Sequence, residues 1–276
     1  MKRRTNGHAV TLNPEHPKPG SDTVQILLGT PTLGTIDYNF HNAMLGAVAP
    51  PNWALVRSAP RGYTTHDGQN LLVDTCLRGT FRALLLVEDD TAPPPNAWIE
   101  FDRWLWKMER KLAPPVVSGL YHIKGSAEIR KGKRGGIKLL GPEPLIYRGS
   151  GQRAYRDWEP GDVVWCSGIP TGALLIHRSV LEAWANEPDL ETYMLQGYPH
   201  PLKKIFERPS QVWVDPEGGT HVASGTSDLY WSAKTIERDI LTKAGWPKRF
   251  AKREFPYIVD TNIRFVHIER GTGRGY

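Results

Sequence analysis

Glu88, Asp89 and Asp90 are three consecutive carboxylates at the end of an unbroken aliphatic run, Leu84-Leu85-Leu86-Val87. Thr91-Ala92 and three prolines, Pro93 to Pro95, follow at once. An apolar run without alternation reads as a strand buried on both faces, as in the centre of an α/β sheet. Acids at its end then lie at the carboxyl edge of the sheet, where open α/β sheets bind ligands. Adjacent carboxylates repel one another and lose hydration, so a cation or a set of donors must compensate. Oxygen ligands of this kind suit Mg²⁺ or Mn²⁺ carrying substrate phosphates. The same acids could instead cap a loop or a following helix, and both readings stand on these residues alone.

Three further positions bear chemistry. Asp228 falls in the first turn of a helix that starts near Gly225-Thr226-Ser227 and is expected to run to Ala244, where Gly245-Trp246-Pro247 ends it. An acid there also suits the helix dipole, with no catalytic role required. His267 follows the apolar stretch Ile263 to Val266, and a lone strand-end histidine is as readily a packing residue. Glycines 168 and 172 bracket Ile169-Pro170-Thr171, a turn at which backbone can approach a ligand closely.

The elements that must position these residues alternate between strand and helix. Val24 to Leu28 is the first strand, and Gly29-Thr30-Pro31-Thr32-Leu33-Gly34 is the turn behind it. Ile36 to Val48 has helical spacing, Trp53 to Val56 reads as a strand, and Asn70 to Leu77 as a helix. After the carboxylates come a Trp-rich helix from Trp98 to Leu112 and strands at Val116–Tyr121, Val163–Cys166 and Leu174–Ile176. Ser179 is a candidate cap for a helix from Val180 to Asn186. Residues 187–222 show no clear pattern. Such a sequence predicts an α/β fold whose central sheet is mainly parallel and flanked by helices.

At 276 residues, with 39% hydrophobic residues, the chain suffices for one large domain. Residues 1–22 read as a flexible tail, 23–268 as a single domain and 269–276 as a basic tail. Within the domain, 23–123 would form a nucleotide-binding half, 124–162 a basic insertion and 163–268 an acceptor half. Cys76 and Cys166, both in apolar settings, suggest packing thiols in a reducing compartment. No apolar run is long enough to span a membrane, and Met1-Lys2-Arg3-Arg4-Thr5 lacks a signal-peptide pattern, so a cytoplasmic location is expected. Net charge is +6, which suggests an anionic partner. From Lys124 to Arg156 there are nine basic residues against two Glu, a net of +7, so the remainder sums to −1. A glycine-rich hairpin fits this stretch, either solvated or facing a ligand.

Taken together, the order of these motifs resembles the GT-A glycosyltransferases, over roughly residues 24–268. The matching pieces are Thr30-Pro31 after the first strand, a helix bearing Asn70, Glu88-Asp89-Asp90 with Pro93, and the Pro115–Tyr121 strand. They continue with the Gly168–Ile176 turn and strand, Ser227-Asp228, and a C-terminal His267. The resemblance implies a GT-A (Rossmann-like) fold and a metal-dependent glycosyltransferase using a nucleoside-diphosphate sugar, UDP-sugar first among them. It implies Asp90 and His267 as ligands of Mn²⁺ or Mg²⁺, Asp228 as general base of an inverting transfer, and Thr30, Pro31, Asn70, Glu88, Asp89, Thr171 and Gly172 around the donor. Two departures stand out. Glu88 replaces the usual first Asp, a longer arm suited to ribose. Ser227-Asp228 replaces the frequent Glu-Asp pair.

The acceptor is expected to be polyanionic, with modified bases of DNA foremost and an anionic cell-surface polymer next. Tyr147, Tyr155 and Trp158 interleave with Arg148, Arg153 and Arg156 in the basic stretch. A small neutral acceptor with an incidental basic hairpin is the alternative. Two other classes share part of the pattern. A nucleotidyltransferase would use the same sheet and metal but wants a glycine-rich basic loop after the first strand, which is missing. A non-catalytic nucleic-acid-binding protein leaves the clustered carboxylates unexplained.

Overall fold

The aliphatic stretches become one central sheet in the computed structural model. The structure describes residues 2–5, 8–11, 23–124, 130–131, 137–138, 142–149, 154–214, 220–269, 272 and 274–276. Seven strands pair in it: β1 (Val24–Gly29), β2 (Trp53–Ser58), β3 (Ala83–Val87), β4 (Val116–Leu120), β5 (Val163–Cys166), β6 (Ala173–His177) and β7 (Tyr257–Arg264). Their spatial order is β5-β7-β4-β6-β3-β1-β2. Strands β1 pairs in parallel with β2 and β3, and β4 with β7, while β6 runs antiparallel between β3 and β4, and β5 antiparallel to β7. Five strands thus point one way and two the other. This is the mixed, mainly parallel α/β architecture expected, and it is consistent with a Rossmann-like GT-A fold.

Helices cover both faces, which is why β3 shows no alternation. Leu85 and Val87 face a layer built on α1 (Tyr38–Gly46) and α3 (Ala97–Glu109). Leu84 and Leu86 face α2 (Thr65–Arg78), α4 (Arg178–Ala185), α5 (Ser227–Glu237) and α6 (Ile240–Lys243). All four side chains are fully buried. Truncating any of them to Ala would cost about 2–5 kcal/mol. The rigid strand holds the carboxylates that follow it.

Several expectations are corrected. The helix predicted from Gly225 to Ala244 is two helices, broken at Asp239, whose φ of 55° is left-handed. His177, not Ser179, caps α4, its ring accepting from the Ser179 amide. Strand β7 begins at Tyr257, six residues before the predicted start. The patternless 187–222 region holds two antiparallel hairpins, Thr192–Met194 with Pro201–Lys203 and Ser210–Val214 with Thr220–Ser224. Both cysteines are buried and free.

Much of the basic stretch, residues 125–129, 132–136, 139–141 and 150–153, lies outside the described residues, as do most of 1–22. Arg130–Lys131 does pair with Ile137–Lys138 as a short hairpin. Tyr155 and Trp158, two of the stacking candidates, are half-buried and pack against the core. Among the described residues no helix is long and apolar enough to cross a membrane.

Candidate functional site

In the order β3-β1-β2 the chain leaves β1 on one side for β2 and on the other for β3. Ligand crevices open at such a reversal, outside the carboxyl ends of the strands. A cleft of about 230 Å³ lies there, lined by Pro31, Thr32, Leu33, Tyr63, Thr65 and the Glu88-Asp89-Asp90 run. The turn after β1, from Pro31 to Leu33, and the carboxylates after β3 therefore line one cavity. Asp89 is buried in it.

A short backbone pairing brings His267 to the carboxylates. Thr91–Ala92 pairs antiparallel with the strand Val266–Glu269, Thr91 opposite His267. The Ile268 amide donates to the Asp90 carbonyl at 2.6 Å. His267 Nε2 then stands 3.7 Å from Asp90 Oδ2. Its ring stacks on Tyr121 at 6.3 Å and 15°, and its Nδ1 is buried without a hydrogen-bond partner among the described residues. Residues 177 apart in sequence are thus paired by a register, not by a local motif.

A hydrogen-bond chain ties Ser227, next to Asp228, to the same cleft. Ser227 Oγ donates to Gln69 Oε1 (3.1 Å), Gln69 Nε2 to Thr171 Oγ1 (2.9 Å), and Thr171 Oγ1 to Glu88 Oε1 (2.8 Å). Gln69 and Thr171 are fully buried. The chain links the first turn of α5 to the end of β3 through α2 and the 168–172 turn. Gly172 closes the arrangement. Its amide donates to the Tyr121 hydroxyl at 3.2 Å and its carbonyl accepts from the Glu88 amide at 3.3 Å. A Cβ at Gly172 would stand 2.5 Å from the Tyr121 hydroxyl and 2.9 Å from Thr91 Oγ1, so only glycine fits.

The electrostatics follow from crowding acids in a poorly hydrated place. Loss of hydration pushes the Glu88 carboxyl up to about 7; the Asp90, Asp228 and Asp89 charges add to this, and the Thr171 hydrogen bond opposes it. Burial also raises Asp228, against hydrogen bonds from Thr226 and from the Leu229 amide. Burial and the neighbouring acids keep Tyr121 protonated, well above its ordinary value. Perturbed acids gathered in a cleft are what a catalytic centre requires.

The structure therefore gathers Pro31, Glu88, Asp89, Asp90, Thr171, Gly172, Asp228 and His267 around one region. Thr30 is buried beside it, its amide donating to the Ser58 carbonyl at 2.9 Å. Asn70, expected at the ribose, has its carboxamide fully engaged. It donates to the Phe206 carbonyl (2.9 Å) and the Tyr193 hydroxyl (3.1 Å) and accepts from the Ile205 (3.1 Å) and Phe206 (2.7 Å) amides. Asn70 pins the 205–206 segment to α2 and has no group left for a ligand. Its neighbour Gln69 was missed. One step along a helix turns a side chain by about 100°, so the two amides face different surroundings.

Among the described residues no group of three or more His, Cys, Asp or Glu side chains is placed to hold a metal ion. The Asp90–His267 pair still suits a cation that takes most of its ligands from water and substrate phosphates, as Mg²⁺ commonly does. The buried, unpartnered Nδ1 leaves Nε2, which faces Asp90, as the nitrogen open to a cation.

No family model and no curated protein matches the chain. Among solved structures, A197 from STIV aligns over 89% of this chain and 86% of its own, at 12% identity and a TM-score of 0.46. A likeness this distant carries no argument for the site, which stands on the geometry above.

Proposed function

We propose that the chain is a metal-dependent, inverting glycosyltransferase that moves a sugar from a nucleoside-diphosphate sugar, UDP-linked first among candidates, to an acceptor hydroxyl. One observation carries this reading: Asp90, paired with His267, lines the cleft at the β1/β3 reversal, and Ser227, next to the half-buried Asp228, is joined to Glu88 of that cleft through Gln69 and Thr171. The nucleotide would occupy the cleft between Pro31 and Asp89, with Glu88 suited to a sugar or ribose hydroxyl. Asp90 and His267 would hold Mn²⁺ or Mg²⁺, which when bound neutralises charge on the departing diphosphate.

Asp228 supplies the base. It takes the proton of the acceptor hydroxyl, whose oxygen bonds to the anomeric carbon as the bond from that carbon to the diphosphate oxygen breaks. The electron pair leaves with the nucleoside diphosphate, and the configuration inverts. A carboxyl raised by burial suits this proton transfer, because its basicity is greater than that of a hydrated Asp. The Ser227–Gln69–Thr171–Glu88 chain keeps that base in register with the donor.

A ligand that binds only the native state raises its stability by about 2.7 kcal/mol at a hundredfold excess over Kd. At about 2–4 °C per kcal/mol, UDP with Mn²⁺ should raise Tm by ~5–10 °C. UDP without metal, or with Asp90→Asn, should not. If no nucleoside diphosphate gives a metal-dependent shift, the reading fails.

A further inference from the structure

Beyond the cleft a second, wider groove of about 660 Å³ opens beside α5. Thr226, two residues before Asp228, and Leu229, directly after it, line it, as does Tyr147. Ser227, immediately before Asp228, reaches Glu88 in the cleft through Gln69 and Thr171. Asp228 thus sits in the helix turn that connects the two cavities, where a base must stand to serve a donor in one and an acceptor in the other.

The groove wall has a definite chemistry. Tyr147, Tyr230 and Phe255 are half-buried and line it with Pro209 and Leu229, while Ser167 and Thr226 add hydroxyls. Its acids are Glu237 and Glu254, and no Lys or Arg is among the described lining residues. Among the described residues, two nearby cations are already engaged. Lys234 pairs with Glu237 at 2.8 Å, and Arg148 lies over Phe255 at 4.4 Å and donates to the Tyr155 hydroxyl at 3.0 Å. A polyanion needs a row of cations to replace its counterions, and this wall offers carboxylates instead. A hydrocarbon chain would press apolar surface against the carboxylates of Glu237 and Glu254. Flat apolar faces interspersed with hydroxyls and carboxylates match a sugar ring, which presents C–H faces and a hydroxyl rim.

We propose that this groove binds the acceptor and that the acceptor is an uncharged saccharide, one ring packed on Tyr230 and a hydroxyl delivered to Asp228. The inference rests on the glycosyl-transfer reading and names its second substrate. It differs from the polyanionic acceptor expected from the basic stretch, because the described residues that line the groove carry no excess of positive charge.

The test has two arms on the full-length protein. The first is the Tm shift with UDP and Mn²⁺, which tests the donor reading alone. The second is direct binding to three probe sets, namely neutral oligosaccharides, sulfated oligosaccharides and single-stranded DNA, each at low and high salt. Tyr230→Ala and Ala233→Trp are compared with wild type. Ala233 is exposed on the groove side of α5, so the Trp can block the groove without disturbing the core. The expected result is salt-insensitive binding to at least one neutral saccharide, weakened ~10-fold or more by either variant, a loss of about 1.4 kcal/mol. Binding confined to sulfated glycan or DNA and abolished by salt overturns the proposal. So does neutral-saccharide binding that both variants leave intact. A UDP–Mn²⁺ shift with no saccharide bound overturns the acceptor inference and leaves the donor reading standing. Absence of the shift removes the donor reading itself.

Discussion

Replacing Gln69 with leucine removes the middle of the chain that joins α5 to β3 while keeping a side chain of similar bulk. Two hydrogen bonds are lost, from Ser227 at 3.1 Å and to Thr171 at 2.9 Å. Thr171 is 1% exposed, so its acceptor lone pair is left without water, which costs about 1–3 kcal/mol. Ser227 is half-exposed and can turn to solvent, a loss of about 1 kcal/mol. The sum is about 2–4 kcal/mol, or a Tm drop of roughly 6–12 °C at mid-range. The effect on chemistry is separate. With α5 no longer tied to the Glu88 end, the base loses its register with the donor, so kcat for transfer falls while the Kd for UDP–Mn²⁺ changes little. Gln69→Glu should retain the Ser227 bond and lose activity more at pH 8 than at pH 5, since it adds a fifth acid to Glu88, Asp89, Asp90 and Asp228. Circular-dichroism melting and steady-state kinetics on both variants provide the readout. A Gln69→Leu protein with wild-type Tm, or one whose KM rises with kcat untouched, would refute the positioning argument.

Three further outcomes are expected. Asp228→Asn should cut transfer by ~10²-fold or more, the usual worth of a general base; an active variant, or a product retaining the donor's anomeric configuration, contradicts the assigned role. Gly172→Ala should lower stability by about 1–3 kcal/mol through the clash with Tyr121 and Thr91, whereas Gly46→Ala, with nothing within 4 Å of its added Cβ, should be neutral or slightly stabilising; equal melting temperatures for the pair would count against the packing described. Glu88 titrates near 4.5 when unfolded and about 7 when folded, so its contribution to stability is intact below about pH 4.5 and is lost as pH rises through about 7. Glu88→Gln, measured with chelator present, should therefore gain Tm over wild type at pH 8 and not at pH 4.5, and a pH-independent difference would be wrong for this mechanism.

The sheet was legible wherever a strand is apolar on both faces. Leu84 to Val87 and Val116 to Leu120 declare themselves because helices cover both sides of them. The front of β7 did not, because Asp260 and Thr261 interrupt it. Both are buried, and Asp260 accepts from Trp104 Nε1 at 2.9 Å, a partner 156 residues away. Likewise Arg238-Asp239 has ordinary helix composition, and only the left-handed backbone at Asp239 ends α5. Within the site the carboxylate run stood out in the sequence because it directly follows a buried strand, a pattern that a capping role fits as well. The nearness of His267 to Asp90 depends on a two-residue register that no periodicity announces. Gln69 sat beside the residue chosen in its place, and only the contacts of the folded helix distinguish the two.

The central claim is donor activation at the Asp90–His267 edge of the cleft, and one measurement addresses it directly. The protein is incubated with a panel of nucleoside-diphosphate sugars, with Mn²⁺ or with excess chelator, and release of nucleoside diphosphate is followed for wild type and Asp90→Asn. At least one donor, UDP-linked first among them, should be cleaved by wild type with Mn²⁺, and both chelation and Asp90→Asn should abolish the release. Cleavage that survives chelation and Asp90→Asn together, or no cleavage of any donor by wild type with metal, would contradict it.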